Sequence, residues 1–234
     1  MATIALCEVE DPTRYGVAEL AEKGRITRFI EKPAKGTAPS NLINAGIYVL
    51  NPKIFSYIPK RKHVSMEREI FPRLVEEGKL YGYPINGLWM DIGKPEEYLQ
   101  ANKILLDIHS KTQKTIKRNK IELKNPVEMG KGVNLGLHSV IGPYAILGKN
   151  VMVGKNVQIK ESVILSDAKI DDSTSINGAI VGEGVKIGKN VRIGRGCIIG
   201  DKAEIKDNVS IVKGTTICPA KEVSENILKP TNIF

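Results

Sequence analysis

Cysteine is scarce in this 234-residue chain: Cys7, Cys197 and Cys218 are the only three. They are too few for a disulfide framework and fit a reducing compartment such as the cytoplasm. Long apolar runs are missing too. No stretch of 18 residues is continuously apolar, and Met1–Glu10 lacks the basic start and apolar core of a signal peptide. Neither a membrane span nor a membrane partner is therefore expected. Aromatic residues are few, at 5% of the chain, and none interleaves the densest basic cluster, Lys111, Lys114, Lys117, Arg118, Lys120 and Lys124. A base-stacking surface needs such aromatics, so a solvated linker is the better reading and nucleic acid is not an expected partner. The 35 Lys and Arg against 26 Asp and Glu give a net charge of +9, but most lysines stand singly. That describes a charged surface rather than a polyanion site. A hydrophobic fraction of 41% with 26% charged residues excludes wholesale disorder.

One period organises the second half. An aliphatic residue or methionine recurs every six residues at Met129, Leu135, Ile141, Leu147, Val153, Ile159 and Leu165. After two intervals shortened to five, it continues at Ile170, Ile176, Val181, Ile187, Ile193, Ile199, Ile205, Ile211 and Ile217. Glycine often follows, and a small or β-branched residue stands four positions on, as at Ser139, Ala145, Val151 and Val157. Six is neither the 3.6 of a helix nor the two of a simple strand. Short parallel strands joined by tight corners would need one large inward side chain, one small one, and glycine at the turn. Three hexads make a triangular coil, so the repeat predicts about five coils stacked at roughly 4.8 Å, some 25 Å in all. The shortened intervals fall around Ser166–Lys169 and Asn177–Ile180, read as irregular corners or, alternatively, as a contact surface. Gly182-Glu-Gly184 and Gly194-Arg-Gly196 are products of the repeat, not a dinucleotide fingerprint. His138 reads as a turn residue, because no Cys, Ser or carboxylate partner can be assigned to it. The pattern resembles the hexapeptide repeat of left-handed parallel β-helices, and the left hand is implied by that resemblance alone.

The first half mixes strand and helix signals. Strands are expected over Ala2–Val9, Tyr15–Leu20, Arg25–Glu31 and Ile43–Leu50, the middle two joined through Glu22-Lys23-Gly24. Ser65 caps an expected helix over Met66–Glu77, with Pro72 as a break and Gly78 as its end. Leu80–Ile85 and Leu88–Met90 flank Asn86-Gly87, a hairpin dipeptide. Pro95 opens a helix to about Leu106, with Tyr98, Ala101, Leu105 and Ile108 on one face.

Five segments then occur in order: Val9-Glu-Asp-Pro-Thr-Arg-Tyr-Gly-Val17, Phe29-Ile-Glu-Lys-Pro33, Ile43-Asn-Ala-Gly-Ile-Tyr48, Glu67-Arg-Glu-Ile-Phe-Pro72 and Trp89-Met-Asp-Ile-Gly93. Together they resemble the sugar-1-phosphate nucleotidyltransferases, in wording closest to the mannose-1-phosphate guanylyltransferases, in which a β-helix is the usual second domain. The resemblance implies an α/β domain with a Rossmann-like mixed sheet, here truncated, followed by an all-β left-handed parallel β-helix. It implies that Lys32 contacts the phosphate of a sugar-1-phosphate, that Glu31 and Asn44 bond sugar hydroxyls, and that the backbone at Gly16 completes the pocket. Asp91 would be one of two carboxylates on Mg²⁺, a hard cation that prefers oxygen. The implied reaction is in-line attack of the sugar phosphate on the α-phosphorus of a nucleoside triphosphate, with pyrophosphate leaving.

One family feature has no counterpart. The glycine-rich Gly-Gly-x-Gly-Thr-Arg-Leu string that wraps the nucleotide does not occur, nor does the second metal aspartate. By comparison with the family, on the order of one hundred residues of the nucleotide-binding half of the sheet are lacking. The expectations are therefore a sugar-phosphate half-site without transferase activity by itself, a nucleoside triphosphate partner only if the other half is supplied, and a homo-oligomer or hetero-complex that covers exposed sheet edges. The expected organisation is a partial transferase domain over 1–110, a basic linker over 111–126, the β-helix over 127–221 and a tail over 222–234. A non-catalytic regulatory or assembly subunit, with the β-helix as its interaction surface, is the alternative. A hexapeptide-repeat acyltransferase is poorly supported, since the repeat offers no convincing base.

Overall fold

In the computed structural model, residues 1–109 and 120–234 are described with their side chains and 115–118 by backbone alone. Lys111 and Lys114 of the basic cluster lie outside the described residues. The chain divides into two compact units, Met1–Trp89 and Met90–Phe234.

The first unit is a five-stranded mixed sheet. Its strands are β1 (Ala2–Glu8), β2 (Gly16–Leu20), β3 (Ile26–Glu31), β4 (Leu42–Leu50) and β5 (Leu80–Pro84), in the order β3-β2-β4-β1-β5. β2 and β3 form the expected hairpin, and β5 joins β1 in parallel. Alternation sorts β1 between two apolar clusters: Ala2, Ile4 and Leu6 pack with Phe29, Phe71 and Leu74 on one face, and Cys7 with Val17 and Ile43 on the other. The β1–β4 ladder slips midway, Ile4 facing Tyr48 but Leu6 facing Asn44, so that Ala5 alone opposes Ala45, Gly46 and Ile47. Such a bulge bends its strand, and Gly46 supplies the left-handed residue it needs, at φ +77°.

Two local expectations fail here. Asn86-Gly87 makes no hairpin; Leu88–Met90 is not a strand, because β5 takes β1 as its neighbour and Trp89 packs into the second cluster instead. Nor does Pro72 break a helix. Ser65 caps a wide π-turn, Met66–Ile70, and α1 (Phe71–Glu76) follows with Pro72 in its first turn, where a missing N–H costs nothing.

The second unit opens with α2 (Pro95–His109) and continues as a parallel β-solenoid. On α2, Ala101 and Leu106 are buried, whereas Leu105 and Ile108 are 44% and 61% exposed. The buried stripe is therefore rotated from the expected one. The solenoid's three sheets hold seven, seven and six strands, giving about six coils rather than five. The extra coil comes from both ends: Ile121–Lys124 pairs with Val140–Ile141, and Asn232–Ile233 with Thr216–Ile217. The inward aliphatic column is buried as expected, with one change of register. Ile164 is fully buried and pairs with Val181, while Leu165 is 36% exposed. The first five-residue interval is thus Ile159 to Ile164, one corner earlier than the aliphatic period suggests. Ser162, Ala168, Thr174 and Ala179 supply the small inward positions through this stretch. Buried hydroxyls bond backbone of the next coil: Ser139 Oγ donates to Gly154 O at 2.8 Å and Thr174 Oγ1 to Gly188 O at 2.8 Å.

The repeat glycines have a different cause from the one expected. They are not, in general, the left-handed corner residues; that conformation falls two positions later, as at Asn150, Asn190 and Gly184. Gly182 instead leaves room for the neighbouring coil, since a Cβ there would sit 2.5 Å from Asp201 Oδ1, which accepts from Glu183 N. His138 occupies one of the left-handed corners, exposed, in keeping with a turn residue.

Both shortened corners, at Glu161 and Gly178, lie on the same edge of the solenoid in successive coils, with Gly178 N bonded to Lys160 O. Helix α2 runs along that edge. Asp107 accepts from Tyr144 Oη at 3.1 Å and Glu161 from Lys103 Nζ at 2.6 Å. Glu96, Leu99 and Gln100 line a cavity of about 170 Å³ with Gly178 and Arg195. A helical turn of about 5.4 Å nearly matches the coil spacing of about 4.8 Å, so successive turns of helix meet successive coils. The clipped corners are a contact surface as well as an irregularity.

Candidate functional site

Three expected site residues lie in one row across neighbouring strands. Gly16 on β2 is the register partner of Glu31 on β3. On the other side, the antiparallel pair Val17–Ile43 sets Gly16 opposite Asn44 of β4. Two polar side chains thus stand two strand spacings apart, roughly 9.6 Å, and the tip of the Phe29 ring and the Glu31 carboxylate lie over Gly16 between them. Gly16 is obligatory here: a Cβ would lie 2.6 Å from Phe29 Cζ and 2.8 Å from Glu31 Oε2. Beneath the row, Phe71 of α1 meets the rings of Phe29 and Tyr48 edge-on, at centroid distances of 5.5 and 5.3 Å.

Behind Asn44 runs a hydrogen-bond chain that the sequence did not reveal. Asn44 Oδ1 accepts from Gly46 N at 2.9 Å, and its Nδ2 donates to Tyr48 Oη at 2.9 Å. Tyr48 Oη donates to Glu67 Oε1 at 3.2 Å, and Ser65 Oγ donates to Glu67 Oε2 at 2.9 Å. Burial raises the Glu31 carboxyl above its ordinary range, opposed by Lys32 and reinforced by the charge of Glu67. Burial likewise raises Tyr48, an effect the Asn44 bond opposes and Glu67 augments. The cluster is therefore electrostatically continuous from Glu31 to Glu67. Tyr48 and Glu67 both lie inside quoted motifs; their chemistry was missed because residues nineteen apart meet only through the fold.

Lys32 is exposed, in the left-handed region at φ 49°, with its N–H on Tyr15 O at 2.9 Å. That bend, followed by buried Pro33, takes the backbone out of the strand line at the end of β3. Trp89 is a packing residue, its Nε1 donating to Ala45 O at 3.1 Å and its ring edge-on to Tyr15. Asp91 belongs to the second unit, exposed, and a Cβ on Gly93 would lie 3.4 Å from its Oδ1 and 3.7 Å from Glu97 Oε2. Among the described residues no group of three or more His, Cys, Asp or Glu could hold a metal ion.

Residues 1–108 match the family model described as Nucleotidyl transferase, and residues 123–233 the one described as GMPPB C-terminal domain. The chain is 44% identical over 107 residues to a probable mannose-1-phosphate guanylyltransferase 2 of Arabidopsis thaliana, covering 45% of this chain and 29% of the relative. It is 41% identical over 113 residues to a mannose-1-phosphate guanyltransferase of Saccharomyces cerevisiae, covering 47% and 30%. It is 44% identical over 97 residues to a mannose-1-phosphate guanylyltransferase catalytic subunit beta of Drosophila melanogaster, covering 42% and 26%. Each matched stretch spans less than a third of the relative's length. The two likenesses follow one another along the chain, a nucleotidyl transferase segment and then the hexad solenoid. The first half of the chain is similar to the nucleotidyl transferase family and, within it, to the mannose-1-phosphate guanylyltransferases.

That family's reaction is metal-dependent. A hard cation at a phosphoryl-transfer site takes one or two carboxylates and fills its remaining positions with water and substrate phosphates. Asp91 is an exposed carboxylate, the residue type such a cation takes, and does not by itself make a metal site.

Proposed function

We propose that this chain is the sugar-phosphate half of a mannose-1-phosphate guanylyltransferase-type enzyme, converting a sugar-1-phosphate and a nucleoside triphosphate into a nucleotide sugar and pyrophosphate. The observation that supports it best is the row Glu31–Gly16–Asn44, in which the strand register sets two hydrogen-bonding side chains on either side of a glycine that only a residue without a side chain can fill. In this reading Glu31 accepts from sugar hydroxyls, Asn44 offers a donor and an acceptor, and Lys32 meets the phosphate as a compact charge. Asp91 would hold Mg²⁺, which when bound neutralises phosphate charge. The three free thiols accord with a cytoplasmic setting.

The nucleotide side must come from elsewhere, because this sequence carries no glycine-rich phosphate loop. Losing an electrostatic stabiliser typically costs about 10²–10³-fold, and several are lost together, so the 234-residue polypeptide alone does not transfer. An assay with mannose-1-phosphate, GTP and Mg²⁺ tests this. No nucleotide sugar is expected from the chain alone, and formation of product would overturn the half-site reading. Association is supported by β4, which beyond Ile43 pairs with β1 alone among the described residues. Ile47 and Val49 on that open stretch are 57% and 73% exposed, and an uncharged, proline-free edge invites another strand.

A further inference from the structure

We infer that Glu67 is a positioning residue for sugar recognition, acting through Tyr48 on the carboxamide of Asn44; the inference rests on the sugar-phosphate reading given above. A carboxamide fits its density of contacts either way round unless its partners are one-sided. Here they are. Gly46 N can only donate, so Asn44 Oδ1 must face it and Nδ2 must face Tyr48. Having accepted that N–H, Tyr48 Oη sends its own proton to Glu67 Oε1. An ionised carboxylate can only accept, and its second oxygen is engaged by Ser65 Oγ. Every link therefore has a single direction: Gly46 N decides which way the carboxamide faces, and Glu67, through Tyr48, holds Nδ2 in place.

The backbone makes this chain possible. In a regular strand, residues four apart are separated by about 13 Å, too far for an asparagine to be braced routinely by the tyrosine beyond it. The bulge that sets Ala5 against Ala45, Gly46 and Ile47 shortens that path. The π-turn Met66–Ile70 then brings Glu67 to Tyr48. What these bonds leave over on Asn44 is one N–H and one acceptor lone pair at fixed positions, suited to a pair of neighbouring sugar hydroxyls. Without the brace Nδ2 loses its partner and the carboxamide, held only by Gly46 N, is free to swing and no longer keeps them in place.

The test is a double-mutant cycle on the full chain, with α-D-mannose 1-phosphate binding followed by calorimetry. Tyr48→Phe and Glu67→Ala should each weaken affinity about fivefold, the worth of one lost hydrogen bond. Glu67→Gln, whose amide oxygen can still accept from Tyr48, should stay within about twofold. In an Asn44→Ala background Tyr48→Phe and Glu67→Ala should have almost no further effect, because they act through Asn44. A second readout needs no ligand: the side-chain amide signals of Asn44 in ¹⁵N–¹H spectra should be sharp in the folded chain and should shift and broaden in Tyr48→Phe. Equal losses in both backgrounds, or Asn44 amide signals unmoved by Tyr48→Phe, would overturn the inference. If the parent chain binds no sugar phosphate, the functional reading fails while the amide signals still decide whether Glu67 and Tyr48 position Asn44.

Discussion

Lys103 of α2 reaches Glu161, at the first clipped corner of the solenoid, with Nζ 2.6 Å from Oε2. Arg195, two coils on, grips the same carboxylate with both terminal guanidinium nitrogens, at 3.0 and 3.1 Å. One acidic residue thus fastens the helix to the edge that the two shortened intervals create. The bonds from Arg195 and then Lys103 hold the Glu161 carboxyl at about 2.

Because the folded value lies below the ordinary 4.5, this contribution is complete above about pH 4.5 and is lost as pH falls through about 2. Glu161→Gln should therefore lower stability at neutral pH by about 1 kcal/mol, a figure that allows for solvent screening. Near pH 2 its effect should be much smaller. Urea unfolding at several pH values checks this, and an equal loss at pH 2 and pH 7 would mean the ion pairs are not the cause.

The register of the clipped stretch makes a sharper prediction. Ile164→Ala should cost about 2–5 kcal/mol, as for other buried isoleucines. Leu165→Ala should cost no more than about 1 kcal/mol. Thermal unfolding of the pair distinguishes the observed register from the one read off the six-residue period alone.

That pair also marks how far the sequence is legible. The solenoid is visible because each hexad repeats one physical demand, a large inward residue and a small one, so neighbouring coils vouch for one another. Val163, Ile164 and Leu165 are all aliphatic, and nothing local says which turns inward; pairing of Ile164 with Val181 decides it. The left-handed corners were equally hidden, because His138, Asn150 and Gly184 share a conformation rather than a residue type. In the first unit, strands with clear alternation fall where expected. Asn86-Gly87 misleads because a hairpin dipeptide cannot compete with a parallel neighbour already in place. Of the site, Gly16, Glu31 and Asn44 are legible as motif residues, whereas Tyr48 and Glu67 act through contacts that only the bulge and the π-turn bring about.

Gly16→Ala should damage fold and site together. The added methyl would meet Phe29 Cζ at 2.6 Å and Glu31 Oε2 at 2.8 Å, and overpacking of this kind costs about 1–3 kcal/mol. Denaturant melts should show that loss, with sugar-phosphate binding weakened beyond what the unfolded fraction explains.

Lys32→Gln should separate phosphate recognition from sugar recognition. Affinity for mannose-1-phosphate should fall about tenfold, as for a lost charge-assisted bond, while stability is unchanged because the side chain is exposed. Calorimetric titration of both chains checks it, and equal affinities would remove Lys32 from the site.

Everything functional turns on whether the first unit cradles a phosphorylated hexose. The most direct measurement is a titration of the isotope-labelled chain with α-D-mannose 1-phosphate, followed in ¹⁵N–¹H spectra. The account predicts saturable shifts confined to Gly16, Glu31, Lys32, Asn44 and their immediate neighbours. Shifts scattered over the solenoid, or none at saturating ligand, would contradict it.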